Sequence, residues 1–449
     1  MSDLTTYKFS QLYDFSSGIS TKPEQAGHGF PFISFSTVFN NYFIPDIVDD
    51  LMDTSKKERE TYSIKKGDIL LTRTSETINE LAMSCVALKD YPNATYSGFT
   101  KRLRPLQKDI TYDKFMGFYL RSNLFRKTMS NNAVMTLRAS LNEQIFSYLD
   151  LVLPKYNEQV KIGNLLHLLN QKIELNNKIN KELETMAKTL YDYWFVQFDF
   201  PDENGKPYKS SGGKMVYNQE LKREIPEGWE IGCIGDYCKS TGGFAFKSSW
   251  WTENGVSVIK IKDIQENYTI DISNLSKVDL SNKKIDDKFK AEAGNVLIAM
   301  TGATVGKYAI VPITDNSIYI NQRVGYFNLG KEPTKKLPYF INSLKQSYFR
   351  EMIFTLANGA AQPNISNEQI NNIDLLIPEK NIVKNFNDKF SSFYKLILNN
   401  QQQNQELSKL RDWLLPMLMN GQVSVKDSEY KNSQNDLLVA QPKPEYNKT

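Results

Sequence analysis

The sequence predicts an α+β protein in which two pseudo-repeated α/β globules are separated by a pair of long coiled-coil helices. Three observations lead there. The 449-residue chain is written twice, each copy is rich in short alternating apolar stretches, and each copy closes in a long proline-poor helical pattern. A chain of this length exceeds one ordinary core and suggests two or three domains.

The repeat is direct. "KKGDILLTRTSETINELA" (Lys65 to Ala82) aligns with "AEAGNVLIAMTGATVGKYA", matching Gly67 with Gly294, Thr74 with Thr301 and Thr77 with Thr304. Further on, Asn142, Glu143 and Gln144 return as Asn367, Glu368 and Gln369 before a shared "LP" or "IP" step. From Asp150 and Asp374 onward the copies lie 224 positions apart, carrying Pro154 onto Pro378, Glu182 onto Glu406 and Leu183 onto Leu407.

Each globule, residues 1–154 and 223–378, holds strand candidates such as "FPFISFS", "GDILLT", "VSVIKIK" and "NVLIAM", with Gly-Asp or Gly-Asn turns before some of them. Shorter helical stretches follow, "FMGFYLRSNLFRKTM" and "PYFINSLKQSYFREMIF". The first long helix is expected over 155–198 and the second over 379–420, with a polar, glycine-rich linker at 199–222 and a disordered polar tail at 421–449.

In the first long helix Ile162, Leu165, Leu169, Ile179, Leu183, Met186, Leu190 and Tyr193 alternate at spacings of three and four, interrupted by Lys172 and Asn176. The second repeats the seam at Phe386, Lys389, Phe393, Leu396, Asn400, Gln403, Leu407, Leu410, Leu414 and Met417. Helices of this length make rods of about 60 Å, longer than a small domain, so they are expected to pair with one another rather than serve as two separate core helices. Asn176 and Asn400 occupy equivalent positions near the middle. A buried polar seam residue costs stability but fixes register, because slippage strands its amide.

Composition narrows the function. The net charge of +4 permits a polyanionic partner without requiring one. No charged start followed by an apolar run occurs at Met1, and no stretch approaches the eighteen or so apolar residues of a membrane span, which points to a cytoplasmic protein without a membrane partner. Cys85, Cys233 and Cys238 form no paired motif, and His28 and His167 are too few for a histidine-rich metal site.

"TGATVGKYAI" (Thr301 to Ile310) has the glycines and lysine of a phosphate loop but not its spacing or its hydroxyl, since three residues separate Gly302 from Gly306 and Tyr308 follows Lys307. It reads instead as a turn between two strands. The gapless alignment puts Ser75 and Asn79 in the places of the two glycines and Glu80 in that of Lys307.

Two similar globules on a rigid rod suit one extended partner, and about 60 Å spans one to two turns of a duplex that repeats roughly every 34 Å. The duplication, the paired helices, "GDILLT", "TGATVGKYAI", "FDFPDENGKPYKSSGGKMV" leading to "REIPEGWE", and the closing "LLPMLMNGQV" together resemble the specificity subunit of type I restriction-modification enzymes over about residues 10 to 425. That resemblance implies two target-recognition domains, each reading one half of a split double-stranded DNA sequence and joined by an antiparallel pair of long helices. It further implies that the long helices dock two adenine-N6 methyltransferase subunits, and that an endonuclease/translocase subunit joins them. The chain itself would hold no catalytic residue, cofactor or metal; S-adenosylmethionine, ATP and Mg2+ would be bound by the partners.

Direct readout needs Arg or Lys facing guanine, or Asn or Gln facing adenine. Candidates for DNA contact are Arg73, Lys101, Arg102, Arg104 and Arg138 in the first globule, and Lys247, Lys260, Lys262, Lys307, Asn321, Gln322 and Arg323 in the second. "YSGFTKRLRP" is taken as the approximate counterpart of "YINQRVGYF". Two rivals stand beside this reading: a two-headed scaffold that binds only proteins, and a nuclease, for which Pro201, Asp202, Glu220, Leu221 and Lys222 give a loose PD…ExK match.

Overall fold

The computed structural model describes residues 4–75, 80–132, 134–135, 139–140, 149–265, 267–357 and 363–425. It divides into two compact units, Met1–Gln171 with Leu407–Thr449, and Lys172–Glu406. Each unit therefore joins one globule to segments of both long helices. The polar tail lies outside the described residues from position 426 on.

In the first unit, strands Tyr13–Ser17, Thr100–Pro105, Ile69–Thr72 and Ser84–Val86 form an antiparallel sheet in that order. "GDILLT" is a strand buried on both faces. Ile69 and Leu71 pack among Phe115 and Phe118 of one cluster, while Leu70 packs among Ile33, Val38 and Tyr96 of another. Gly67, at a φ of 86°, makes the turn into it. Ala26–Ile33 runs parallel to Thr95–Tyr96, Leu4–Lys8 pairs with Asp150–Pro154, and helices Asp113–Tyr119 and Asn123–Asn131 follow the sheet.

The second unit repeats this plan. Ser240–Gly242, Val324–Phe327, Val296–Ala299 and Tyr308–Ile310 form the equivalent sheet in the same order. Val256–Ile259 runs parallel to Ile318–Ile320, Glu230–Cys233 pairs with Asp374–Ile377, and helices Leu337–Leu344 and Ser347–Ala357 follow. Its central strand is again covered twice, Val296 and Ile298 by Tyr339 and Phe340, Leu297 and Ala299 by Ile259 and Ile320.

The long helices run Tyr156–Tyr191, continued by a π-helical turn Asp192–Val196, and Lys380–Met419, with Pro416 in the last turn. Within the second unit they pair antiparallel through amides. Asn176 Nδ2 donates to Asn404 Oδ1 and Gln403 Oε1, each at 2.8 Å, and Asn400 Nδ2 donates to Asn180 Oδ1 at 2.8 Å. Asn180 and Asn404 are related by the same spacing as Asn176 and Asn400, so exchanging the two copies turns one of these bonds into the other. Asn176, Asn180 and Asn400 are all buried, and each bond contributes about 1 kcal/mol only in this register. In the first unit Ile162 and Leu166 share a core with Leu415 and Leu418, which continues the antiparallel sense.

The apolar seam needs correction. Met186, Leu396 and Leu410 point outward at 51%, 44% and 43% exposure, while Leu166, Ala187, Phe390, Tyr394 and Ile397 are buried. A straight α-helix drifts by about 20° per heptad against a strict seven-residue repeat, so a stripe counted in threes and fours leaves the contact face. The 199–222 segment is also built differently from an open linker. Phe198 and Phe200 pack on Trp229 with ring centroids 5.5 and 5.2 Å apart, Asp199 accepts from the Ser210 amide and hydroxyl, and Met215–Asn218 pairs with Arg223–Pro226.

Candidate nucleic-acid interface

At one edge of each globule the sheet and the parallel strand pair end in a tight turn, and the two turns are built alike. In the first, Ser97 forms a parallel bridge with Ile19, its Oγ accepts from the Phe99 amide at 3.2 Å, and its carbonyl accepts from the Thr100 amide at 2.9 Å. The Arg73 amide donates to the Phe99 carbonyl at 3.0 Å. In the second, Asn321 forms a parallel bridge with Phe244, its Oδ1 accepts from the Arg323 amide at 3.4 Å, and its carbonyl accepts from the Val324 amide at 2.9 Å. The Met300 amide donates to the Arg323 carbonyl at 3.1 Å. A glycine lies against each turn because no side chain fits: a Cβ on Gly18 would stand 2.2 Å from the Ser97 carbonyl oxygen, and one on Gly243 would stand 2.4 Å from that of Asn321.

These bonds correct the alignment. The counterpart of Asn321–Gln322–Arg323 is Ser97–Gly98–Phe99, and Lys101, Arg102 and Arg104 lie farther on, inside a central strand. Arg102 is 6% exposed, donates from Nη1 to the Ser63 carbonyl at 2.6 Å and stacks over Tyr96. Arg104 grips the fully buried Asp68 carboxylate through Nε at 2.8 Å and Nη2 at 2.6 Å. Both guanidiniums therefore serve the fold and leave the candidate set. Lys101, at 3% exposure, reaches Ser17 Oγ at 3.4 Å, where Arg73 Nη1 also converges at 3.1 Å. Two cations thus stand behind the first turn. Arg138 and the repeated Asn142–Gln144 segment lie outside the described residues.

In the second globule the loops of the remaining candidates meet at the same edge. The Asn321 amide donates to the Ile259 carbonyl at 3.0 Å and that of Gln322 to the Phe244 carbonyl at 3.0 Å, which brings Lys260 and Lys262 alongside the turn. Gln322 and Arg323 are exposed, as are Lys247 and Lys262. Lys260 lies over the Trp251 ring at 3.5 Å, and burial followed by the nearby Lys262 lowers its pKa. Phe244, Phe246, Trp250 and Trp251 form a half-buried aromatic cluster beside these lysines.

The "TGATVG" segment is the expected turn, with Gly302 at a φ of 74° and Gly306 at 83°. The first copy, however, has eleven residues (73–83), among them the short strand Thr74–Ser75, between Ile69–Thr72 and Ser84–Val86, against eight (300–307) between the equivalent strands of the second. The Ala82 amide donates to the Thr72 carbonyl as the Gly306 amide does to that of Ala299, so Ala82, at a φ of 58°, and not Asn79 holds the place of Gly306. Met83, and not Glu80, stands where Lys307 does. Lys307 itself lines a cleft of about 700 Å³ with Lys345, Arg350 and Tyr268.

The remaining motif residues have structural surroundings. Asp202 Oδ1 accepts from the amides of Asn204 and Lys206, both at 2.8 Å, closing a turn. His167 packs edge-on to Phe43, and His28 is exposed. Phe99, 55% exposed, carries no basic or amide group to mark it in the sequence, and the offset between the copies drifts from 227 at Gly67 to 225 at Asn142, so spacing alone does not pair it with Arg323.

Comparison with known proteins agrees with this architecture. The family model described as type I restriction modification DNA specificity domain matches residues 1–185 and 226–409. The HindI specificity subunit of Haemophilus influenzae is 26% identical over 94% of this chain and 100% of its own length. The MjaIX specificity subunit of Methanocaldococcus jannaschii is 25% identical, covering 84% of this chain and 82% of that one. The crystal structure of the type I restriction-modification S subunit from M. genitalium shares the fold at a TM-score of 0.54, with 15% identity over 93% of this chain and 96% of that one. With both repeats matched by the family model, the chain belongs to the type I restriction-modification DNA specificity family, as a non-catalytic subunit that recognises DNA sequence.

Proposed function

We propose that this chain reads a split double-stranded DNA target, one half-site for each globule, with residues 1–154 and 223–378 as its target-recognition domains. The observation that carries the reading is the pair of edge turns: the same main-chain hydrogen bonds hold both, while their side chains differ. Equal frames with unequal side chains suit two half-sites of different sequence. Arg73, Lys247, Lys260, Lys262, Asn321, Gln322 and Arg323 contact DNA in this reading, phosphates more often than bases. Lys101 acts from behind the turn, through its charge.

The long helices carry two adenine-N6 methyltransferase subunits. Met186 and Leu410 support a count of two, because they are equivalent positions and both expose apolar side chains to solvent. An endonuclease/translocase subunit joins the assembly for restriction. S-adenosylmethionine, ATP and Mg2+ are bound by those partners, and the complex works in the cytoplasm.

The test is to co-express the chain with its methyltransferase subunit in a host without DNA methylation and to map N6-methyladenine by single-molecule sequencing. A split motif with a modified adenine in each half, absent without this chain, is the expected result. Methylation lacking any motif would favour the protein-only scaffold, as would DNA binding that does not weaken with salt, since neutralised phosphates release counterions.

A further inference from the structure

We infer that Phe99 and Arg323 are equivalent specificity-determining residues, each reading one base pair of its half-site, Phe99 through the 5-methyl group of thymine and Arg323 through N7 and O6 of guanine. The inference rests on the DNA-reading function proposed above and names where the two half-sites are told apart.

Four features make the positions equivalent. Each residue is third in a turn whose first side chain caps its amide, each carbonyl takes the amide of the residue that follows the central strand's "LLT" or "LIA", and each turn bridges in parallel to the segment after the first sheet strand. Each turn is also pressed by a glycine that no larger residue can replace. Both backbones are thus fixed by neighbours on several sides, and both side chains project from a rigid support, as precise readout requires.

The side chains differ in chemistry and in freedom. Phe99 is 55% exposed and belongs to no buried apolar cluster of the described residues. A single exposed apolar residue is ordinary, so exposure alone would carry nothing. What singles Phe99 out is that its counterpart on the same frame is an exposed arginine. The Arg323 guanidinium, unlike those of Arg102 and Arg104, has no hydrogen-bond or ion-pair partner among the described residues. In the major groove a guanidinium matches the two acceptors of guanine, whereas an apolar side chain finds its partner only in the thymine methyl. Arg73 and Lys101, meeting at Ser17 behind Phe99, supply the positive charge there that Phe99 lacks.

Phe99→Ala, Phe99→Arg and Arg323→Ala are each co-expressed with the methyltransferase subunit, and the methylated motif is mapped as for the natural chain. Phe99→Ala is expected to relax one position of one half-site, at a T·A pair, by about tenfold or less. Arg323→Ala relaxes one position of the other half-site, at a G·C pair, by roughly 5- to 150-fold. Phe99→Arg moves the first of these positions from thymine toward guanine. Because both half-sites are read by one chain, the unaltered half shows that each variant is folded and assembled. If Phe99→Ala abolishes methylation, Phe99→Leu, which keeps an apolar contact, is expected to restore it, and its failure to do so overturns the inference. An unchanged motif, relaxation at a pair other than T·A or G·C respectively, or a uniform fall in methylation without relaxation at any position also overturns it. The absence of a split motif for the natural chain would instead defeat the DNA-reading function itself.

Discussion

Replacing Arg104 by alanine separates a structural arginine from a DNA-reading one. Asp68 is fully buried and accepts three hydrogen bonds, two from Arg104 and one at 2.8 Å from the Lys65 amide. The hydrogen bond to the Asp68 carboxylate raises the already high pKa of the Arg104 guanidinium, which therefore stays charged through the neutral range. Truncation removes the opposite charge and leaves the carboxylate with one amide. Breaking a buried ion pair from one side costs about 3–5 kcal/mol when the remaining charge stays dry. The Arg104 side chain is 26% exposed, so water follows it into the gap, and about 2–3 kcal/mol is the expected loss. That corresponds to roughly 30- to 150-fold faster amide exchange in the strands Ile69–Thr72 and Thr100–Pro105. Hydrogen-exchange mass spectrometry reads this directly, with Val296–Ala299 of the second unit as an unaffected reference. The methylated motif of the assembled complex should stay as it was. Unchanged exchange together with a lost motif position would refute the reasoning and return Arg104 to the DNA surface.

Three further outcomes are expected. Asn176→Leu leaves the helix pair as stable as before or more so, because Asn176 Oδ1 is buried without a protein donor and Gln403 and Asn404 can turn to water; Asn400→Leu strands the buried Asn180 Oδ1 and costs about 1–3 kcal/mol. Amide exchange along 172–191 would show the opposite order if the amide pairing were misassigned. His167 is held by burial, and then by Lys114, at a pKa of about 4 against 6.5 for the free group, so the unfolded chain takes up the proton first. The first unit should therefore keep its full stability above about pH 6.5 and lose it as pH falls toward 4. Thermal melts at pH 7.5 and 5 should differ less for His167→Gln than for the natural chain. Ala82→Gly should stabilise the first unit by about 1 kcal/mol by relieving a left-handed alanine, whereas Gly306→Ala should destabilise the second, where a new Cβ would stand 2.6 Å from Ile353 Cγ2. Denaturant midpoints with unchanged slopes would measure both.

The repeat and the buried strands were legible because each is a local pattern: "GDILLT" and "NVLIAM" are apolar on both faces, and glycine precedes each. Asn176 and Asn400 were legible as polar interruptions of a seam. The partners they chose, Asn404 and Asn180, were not, since an antiparallel register depends on the stagger of two distant segments. Arg102 and Arg104 misled because a basic run looks the same whether it faces solvent or, as here, the Ser63 carbonyl and Asp68. Phe99 stayed hidden for the opposite reason: aromatic side chains are expected inside, and it is the hydrogen bonds, bridges and glycine contacts of the two turns that equate it with Arg323.

The residues at positions 99 and 323 are held by their amide and carbonyl groups, and neither has the positive φ that would restrict which side chain it can bear. Folding thus asks of either one only that it keep its amide hydrogen, which excludes proline. The other amino acids can occupy these two places at nearly the same stability, so, with bases read there as inferred above, a descendant acquires a new DNA target by one substitution without first having to repair its fold.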